Sequence, residues 1–242
     1  KEKRGGYEVR QDGPGLQTLA IMDFRNSSVD QRERYASLSN GFPSMMINYL
    51  NGANGLKVIE RERIQWILDE PKFRDKDDTI DMSMALRTGE TLGATTVLYG
   101  RNYIVRKDQM RLSAQLVNVE TGEILRSMDV MGEPDEFFKL ADKISREVAE
   151  TMNVEMEDVG IEKSGGTSLL DAHLAYTGGI DELESGNYRG ARKHFQRALK
   201  LDPGYAMAKK RLESLETMLS STAQDSTEAS DEGGDLRDTP DP

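Results

Sequence analysis

The chain has 242 residues, 36% of them hydrophobic and 31% charged, with a net charge of −11 and no cysteine. That length suggests one or two domains, and the missing cysteines exclude disulfides, thiolate metal sites and thiol nucleophiles. The acidic balance argues against nucleic-acid binding, which needs a basic face, and no apolar run approaches the roughly 20 residues that span a bilayer.

In chain order, residues 1–15 read as a flexible, polar, Gly-rich lead-in. Leu19 to Phe24 is a short apolar run with Asp23 near its end, predicting a buried first strand. Tyr35, Leu38, Phe42, Met45, Met46 and Tyr49 recur at helical spacing. Pro43 interrupts that pattern, so the helix is expected to begin near it. The breaker cluster Asn51 to Gly55 precedes a second strand, Leu56 to Ile59. Ile64, Ile67 and Leu68 then mark a short amphipathic helix, with Trp66 off its apolar face and Pro71 at or beyond its end. Phe73 to Asp78 is a charged loop. Met82 to Leu92 reads as a helix capped by Asp81.

From Thr95 the period changes to two. Val97 to Asn102, Leu112 to Val119 and Ile124 to Val130 predict a three-strand meander whose second turn uses Gly122 at positive φ. Pro134, Asp135 and Glu136 suit a helix N-terminus, followed by a buried stripe of Phe137, Leu140, Ala141, Ile144, Val148 and Met152. Residues 154–167 read as a linker and 168–219 as a helical module, broken at Gly186-Asn187 and at Asp202-Pro203-Gly204. Residues 220–242 hold seven acids and one base, Arg237. They cannot bury enough surface to offset chain entropy and are expected to form a disordered acidic tail.

The phrases LAIMDFRN (Leu19 to Asn26), VIERERIQWILDE (Val58 to Glu70), LGATTVLYGRNY (Leu92 to Tyr103) and NVETGEIL (Asn118 to Leu125) occur in the order seen in CsgG/TolB-N-type envelope domains, which 16–153 resembles. The resemblance implies an α/β (α+β) fold, a mixed β-sheet covered by helices. It also implies a bacterial cell-envelope setting, periplasmic or outer-membrane associated, with a signal segment or lipidated residue upstream of Lys1. The family includes a secretion pore. That role is set aside here, because a barrel strand needs roughly nine to eleven residues with an apolar outer face, and neither Phe73 to Asp81 nor Val105 to Met110 supplies one.

The second module, GNYRGARKHFQRALKLDP (Gly186 to Pro203), resembles a tetratricopeptide (TPR) repeat. With Pro203 closing a unit of about 34 residues, Gly179, Ala191, Phe195 and Ala198 fall at its small and aromatic positions. Ala175 replaces the usual early aromatic, and Ala206 to Leu219 would be the capping helix. A single repeat cannot bury its faces alone, so it is expected to pack on the first domain, a second copy or a partner. The resemblance would place His173, Tyr176, Ile180, Leu183 and Glu184 along a protein-binding groove, internal packing being the alternative in a single repeat. Trp66, off the apolar face of its helix, is an interface anchor if exposed, burial against the linker or the repeat module being the equal alternative.

Catalytic motifs are absent: no paired carboxylates, nucleophile elbow, phosphate loop or metal-ligand cluster accompanies Asp23, Glu60 or Arg61. A turn cap for Asp23, and a strand-edge ion pair or helix cap for Glu60 and Arg61, are the plainer roles. The expectation is a non-enzymatic envelope assembly or scaffold protein, without cofactor or metal, acting by self-association and TPR-mediated protein binding. Secretion, appendage assembly, flagellar-base support and wall synthesis are the processes served by similar proteins. The alternatives are a ligand-binding or enzymatic domain using a strand-end crevice near Asp23 and Glu60, and a cytoplasmic TPR adaptor.

Overall fold

The computed structural model describes residues 17–28, 32–68, 70, 81–106, 109–156, 167 and 169–231. The expected lead-in, the Phe73 to Asp78 loop, Pro71 and most of the expected linker lie outside them. The element order is β1 (Gln17–Asn26), α1 (Leu38–Leu50), β2 (Leu56–Val58), α2 (Arg61–Leu68), α3 (Met82–Leu92), β3 (Thr96–Arg106), β4 (Gln109–Asn118) and β5 (Ile124–Gly132). A 3-10 turn (Pro134–Glu136) then leads into α4 (Phe137–Thr151), α5 (Leu170–Glu184), α6 (Tyr188–Leu201) and α7 (Ala206–Asp231).

The five strands form one mixed sheet in the order β2-β1-β3-β4-β5. β1 pairs in parallel with β2 and β3, and β3, β4 and β5 form the antiparallel meander. The fold is therefore α+β. Side chains alternate across a strand, which builds two cores. Leu19 and Ile21 join Leu98, Leu112 and Leu116 under α1 and α4, while Ala20 and Met22 join Val97 and Val117 under α2 and α3.

In β1 the alternation breaks between Ile21 and Phe24, where β1 advances three residues for two of β3. This bulge turns Phe24 into the α1/α4 core. Gly100 makes the space: a Cβ there would lie 2.9 Å from the Phe24 ring and 2.4 Å from the Ser113 carbonyl oxygen. Asp23 is left on the α2 side, where it meets Arg61.

Two expectations about helix limits are corrected. α1 starts at Leu38, with Pro43 inside it and buried. The proline removes one backbone donor, and burial of Phe42 and Met46 on either side of it outweighs that loss. α7 runs to Asp231 rather than ending near Leu219. No glycine or proline interrupts the sequence between Pro203-Gly204 and Gly233, so nothing in the backbone stops the helix sooner. Residues 232–242 of the expected tail lie outside the described residues. Elsewhere the patterns match. Asp81 caps α3, its side chain accepting from the Met84 N–H at 2.9 Å, and the whole predicted stripe of α4 is buried. No helix among the described residues is long and apolar enough to cross a membrane.

Candidate functional site

α5 and α6 form a helical hairpin closed by a small-residue seam. Ala191, Phe195 and Ala198 are fully buried on α6. The Phe195 ring fills a notch opposite Gly179, where a Cβ would lie 2.5 Å from it. Asn187 caps α6 by accepting from the Gly190 N–H at 3.1 Å. α7 packs on the pair through Ala208 and Leu215, with Tyr205 just before its first turn.

The other side of α5 meets the sheet domain. The His173 ring stacks on Phe137 at 4.7 Å between centroids and 28° between planes. The aromatic contacts continue through Tyr176 to Tyr205 at 5.1 Å and to Phe195 at 5.8 Å. His173 Nδ1 and the Tyr205 hydroxyl share a hydrogen bond of 3.1 Å. His173 Nε2 is buried without a hydrogen-bond partner among the described residues. Burial therefore pulls the His173 pKa down to about 3, because a charged ring there would lose its hydration. Ser37 of the turn before α1 donates to the Leu174 carbonyl at 3.4 Å, and Asn48 of α1 donates to the Met207 sulfur at 3.5 Å.

A polar cluster closes the same joint. Arg61, at the start of α2, donates to both Asp23 oxygens and, through Nε, to Glu184 Oε1 at 3.1 Å. Burial works against the Arg61 charge, but Asp23 and Glu184 hold it protonated and raise its pKa overall. Beside this triad, Asn40 Nδ2 donates to Asp181 while Asn40 Oδ1 is buried without a hydrogen-bond partner among the described residues. Asp181 is pushed up to about 7, by burial first and then by its carboxylate neighbour Glu184.

The residues expected to line a groove are distributed as follows. His173, Tyr176 and Ile180 are buried, the first two in the aromatic chain and Ile180 in the hairpin core, where Leu183 is half-buried. Glu184 is tied to Arg61. These five therefore present no continuous stripe to solvent. Trp66 lies apart from them on α2, 60% exposed, while Ile64 and Ile67 of the same helix are buried. At the strand end, Asp23 is held by Arg61 rather than by a turn, and Glu60 is exposed. Local sequence does not point to the partners of Arg61 or to the roles of Asn40, Asp181, Phe137 and Tyr205 at the joint. Arg61 beside Glu60 was the only local signal, and it does not identify Glu184.

A cleft of about 630 Å³ opens beside the joint, between residues 33–37 and the α5/α6 surface, with Arg34, Asp171, Glu182 and Arg197 on its walls. Charges of both signs line it. Among the described residues no group of three or more His, Asp or Glu side chains is placed to hold a metal ion.

No protein-family profile matches the chain, and no curated protein matches it. Among solved structures it is similar to the LpoB C-terminal domain from Salmonella enterica, at 19% identity and TM-score 0.35, covering 51% of this chain and 87% of that one. It is also similar to the lipoprotein GNA1162 from Neisseria meningitidis, at 14% and 0.39, covering 55% and 96%. TolB from Acinetobacter baumannii matches at 14% and 0.39, covering 57% of this chain and 28% of TolB. At these identities and scores the likenesses carry neither fold nor function to this chain, and the α+β description rests on its own strand order and helix packing.

Proposed function

We propose that this protein is a non-enzymatic cell-envelope assembly or scaffold protein that works by binding other proteins. In this reading the sheet domain, residues 16–153, gives position and supports self-association. The helices from residue 168 onward form one TPR unit with its capping helix and recruit a partner. The envelope setting rests on the four CsgG/TolB-N-like phrases of the sequence.

The observation that carries the binding role is the joint. A lone helical hairpin leaves apolar faces uncovered. Here α5 covers them against Phe137 and the sheet domain, so the module is seated in cis and its outer layer is free to meet another molecule. Trp66 adds an exposed aromatic on the sheet domain, a residue type enriched in binding anchors.

The test is cross-linking in intact native cells, followed by mass spectrometry of everything attached to this chain. Links to another envelope protein from the helical module, or to a second copy from the sheet domain, are expected. Links to cytoplasmic proteins alone would sink the envelope setting, and no protein links at all would sink the binding role.

A further inference from the structure

The solvent side of α6 has a charge opposite to that of the chain, although Arg197 borders a cleft that Asp171, Asp181 and Glu182 of α5 also line. Gly186 to Leu212 holds eight Lys or Arg and one acid, Asp202, inside a protein of net −11. Five of the bases, Arg189, Arg192, Lys193, Arg197 and Lys200, lie on α6, which has no acid of its own. All five are exposed, because the buried positions of α6 are Ala191, Phe195 and Ala198.

Arg189, Lys193, Arg197 and Lys200 are spaced i, i+4, i+8 and i+11. They form one line along the helix, with neighbours about 6 Å apart and a length of about 16 Å. Arg192 lies off that line and already pairs with Glu216 of α7 at 3.4 Å. The four in line make no ion pair among the described residues. Lys200 suits the negative end of the helix dipole, but the other three gain nothing from it. Like charges at i,i+4 weaken a helix, so the arrangement has no stabilising role within the hairpin.

We propose that this line is a docking face for a carboxylate-rich segment of a partner protein. The idea rests on the protein-binding reading above and names the chemistry of what is bound. Arginine forks match carboxylates two bonds at a time, and acids at i,i+4 on a partner helix would repeat the same spacing of about 6 Å. Scale favours a short acidic segment over a membrane or a nucleic acid. An extended polyanion meets the negative charge of the whole protein, whereas screening over about 8–10 Å lets a short segment respond to the line alone.

The test titrates the full chain with a labelled alanine-based helical peptide bearing Glu at every fourth position, at low and at raised salt. Saturable, salt-sensitive binding is expected. The triple variant R189Q/K193Q/R197Q should bind about tenfold more weakly, with an unchanged denaturation midpoint because all three side chains are exposed. R189K/R197K, which keeps the charge, should retain most of the binding. An unchanged affinity in the triple variant overturns the proposal. So does tighter binding of anionic phospholipid vesicles or of a thymidine oligonucleotide than of the peptide. Native cross-links from α6 to a partner that persist in the triple variant would also overturn it while leaving the protein-binding reading intact.

Discussion

The two helices of the hairpin are neighbours in sequence and opposite in character. α5 has His173, Tyr176 and Ile180 buried against the sheet domain and its partner helix, and its acidic end is tied to Arg61. α6 buries only Ala191, Phe195 and Ala198 and turns a row of bases to water. In an array of repeats, the first helix of each unit is held from behind by the next unit and can present its side chains in a groove. In the proposed TPR reading, the sheet domain stands where a neighbouring repeat would be. It covers that face of α5, so under the proposed binding role recognition by the module would fall to α6, α7 or the rim of the cleft.

The largest effects are expected where α5 is joined to its surroundings. Phe195→Ala empties the Gly179 notch and should lower stability by about 3–5 kcal/mol, measured by urea unfolding. Phe137→Ala removes the ring beneath His173, with a loss of similar size. If sheet domain and hairpin are one cooperative unit, Phe137→Ala splits a single unfolding transition into two. A single sharp transition with little loss would show that the stacked rings do not couple the two regions.

Acid tests the same joint without a mutation. The folded-state pKa of His173 lies near 3, below its ordinary value of 6.5, because of burial. Its contribution is therefore fully present above about pH 6.5 and is lost as pH falls from there towards 3, to a total of roughly 5 kcal/mol. Asp181 acts in the opposite sense. Burial raises its pKa from 3.8 to about 7, so its contribution is present below about pH 4 and is lost as pH rises through 7. Asp181 keeps solvent contact, which screens its share. Unfolding free energy measured over pH 3–8 should fall towards acid in the native chain and more steeply in Asp181→Asn, and be flatter in His173→Gln. A His173→Gln curve parallel to the native one would contradict the buried-histidine account.

Arg61→Ala should cost less, about 1–3 kcal/mol, since Asp23 and Glu184 remain partly solvated and can rehydrate. A double-mutant cycle with Glu184→Gln should return a favourable coupling of about 0.5–1 kcal/mol, measured by chemical denaturation. Zero coupling would mean that Glu184 adds nothing to the hold of the sheet domain on α5.

Local pattern reached most of the fold and little of the joint. The meander, the Asp81 cap and the α4 stripe were legible because each depends on residues a few positions apart. The start of α1 was not, since Pro43 signals a boundary locally and only the burial of Phe42 and Met46 by the sheet overrides it. The shared contact of Asp23 and Glu184 on Arg61 joins residues 38 and 123 positions away from it. No periodicity carries that information. The α5 positions looked like a groove because an amphipathic stripe reads alike whether a partner or another domain of the same chain covers it. Covering α5 in cis is one of the options open to a lone helical hairpin, and only the tertiary contacts choose among them.

Local spacing puts Trp66 off the Ile64, Ile67, Leu68 face of its helix, which leaves exposure and burial against the linker or the helical module equally open; its exposure in the structure separates it from the α5 set. With 60% of its surface exposed, Trp66→Ala should change stability by no more than about 0.5 kcal/mol. Its effect should appear instead in the native cross-links, as a loss of captured protein from α2 while links from α6 persist. If stability falls by several kcal/mol, Trp66 is a packing residue and the contrast between a buried α5 and an available α2 fails. If both stability and cross-links are unchanged, the exposed ring has no role in binding. The recognition surface is then confined to the helical module, on the side of the hairpin that the sheet domain leaves uncovered.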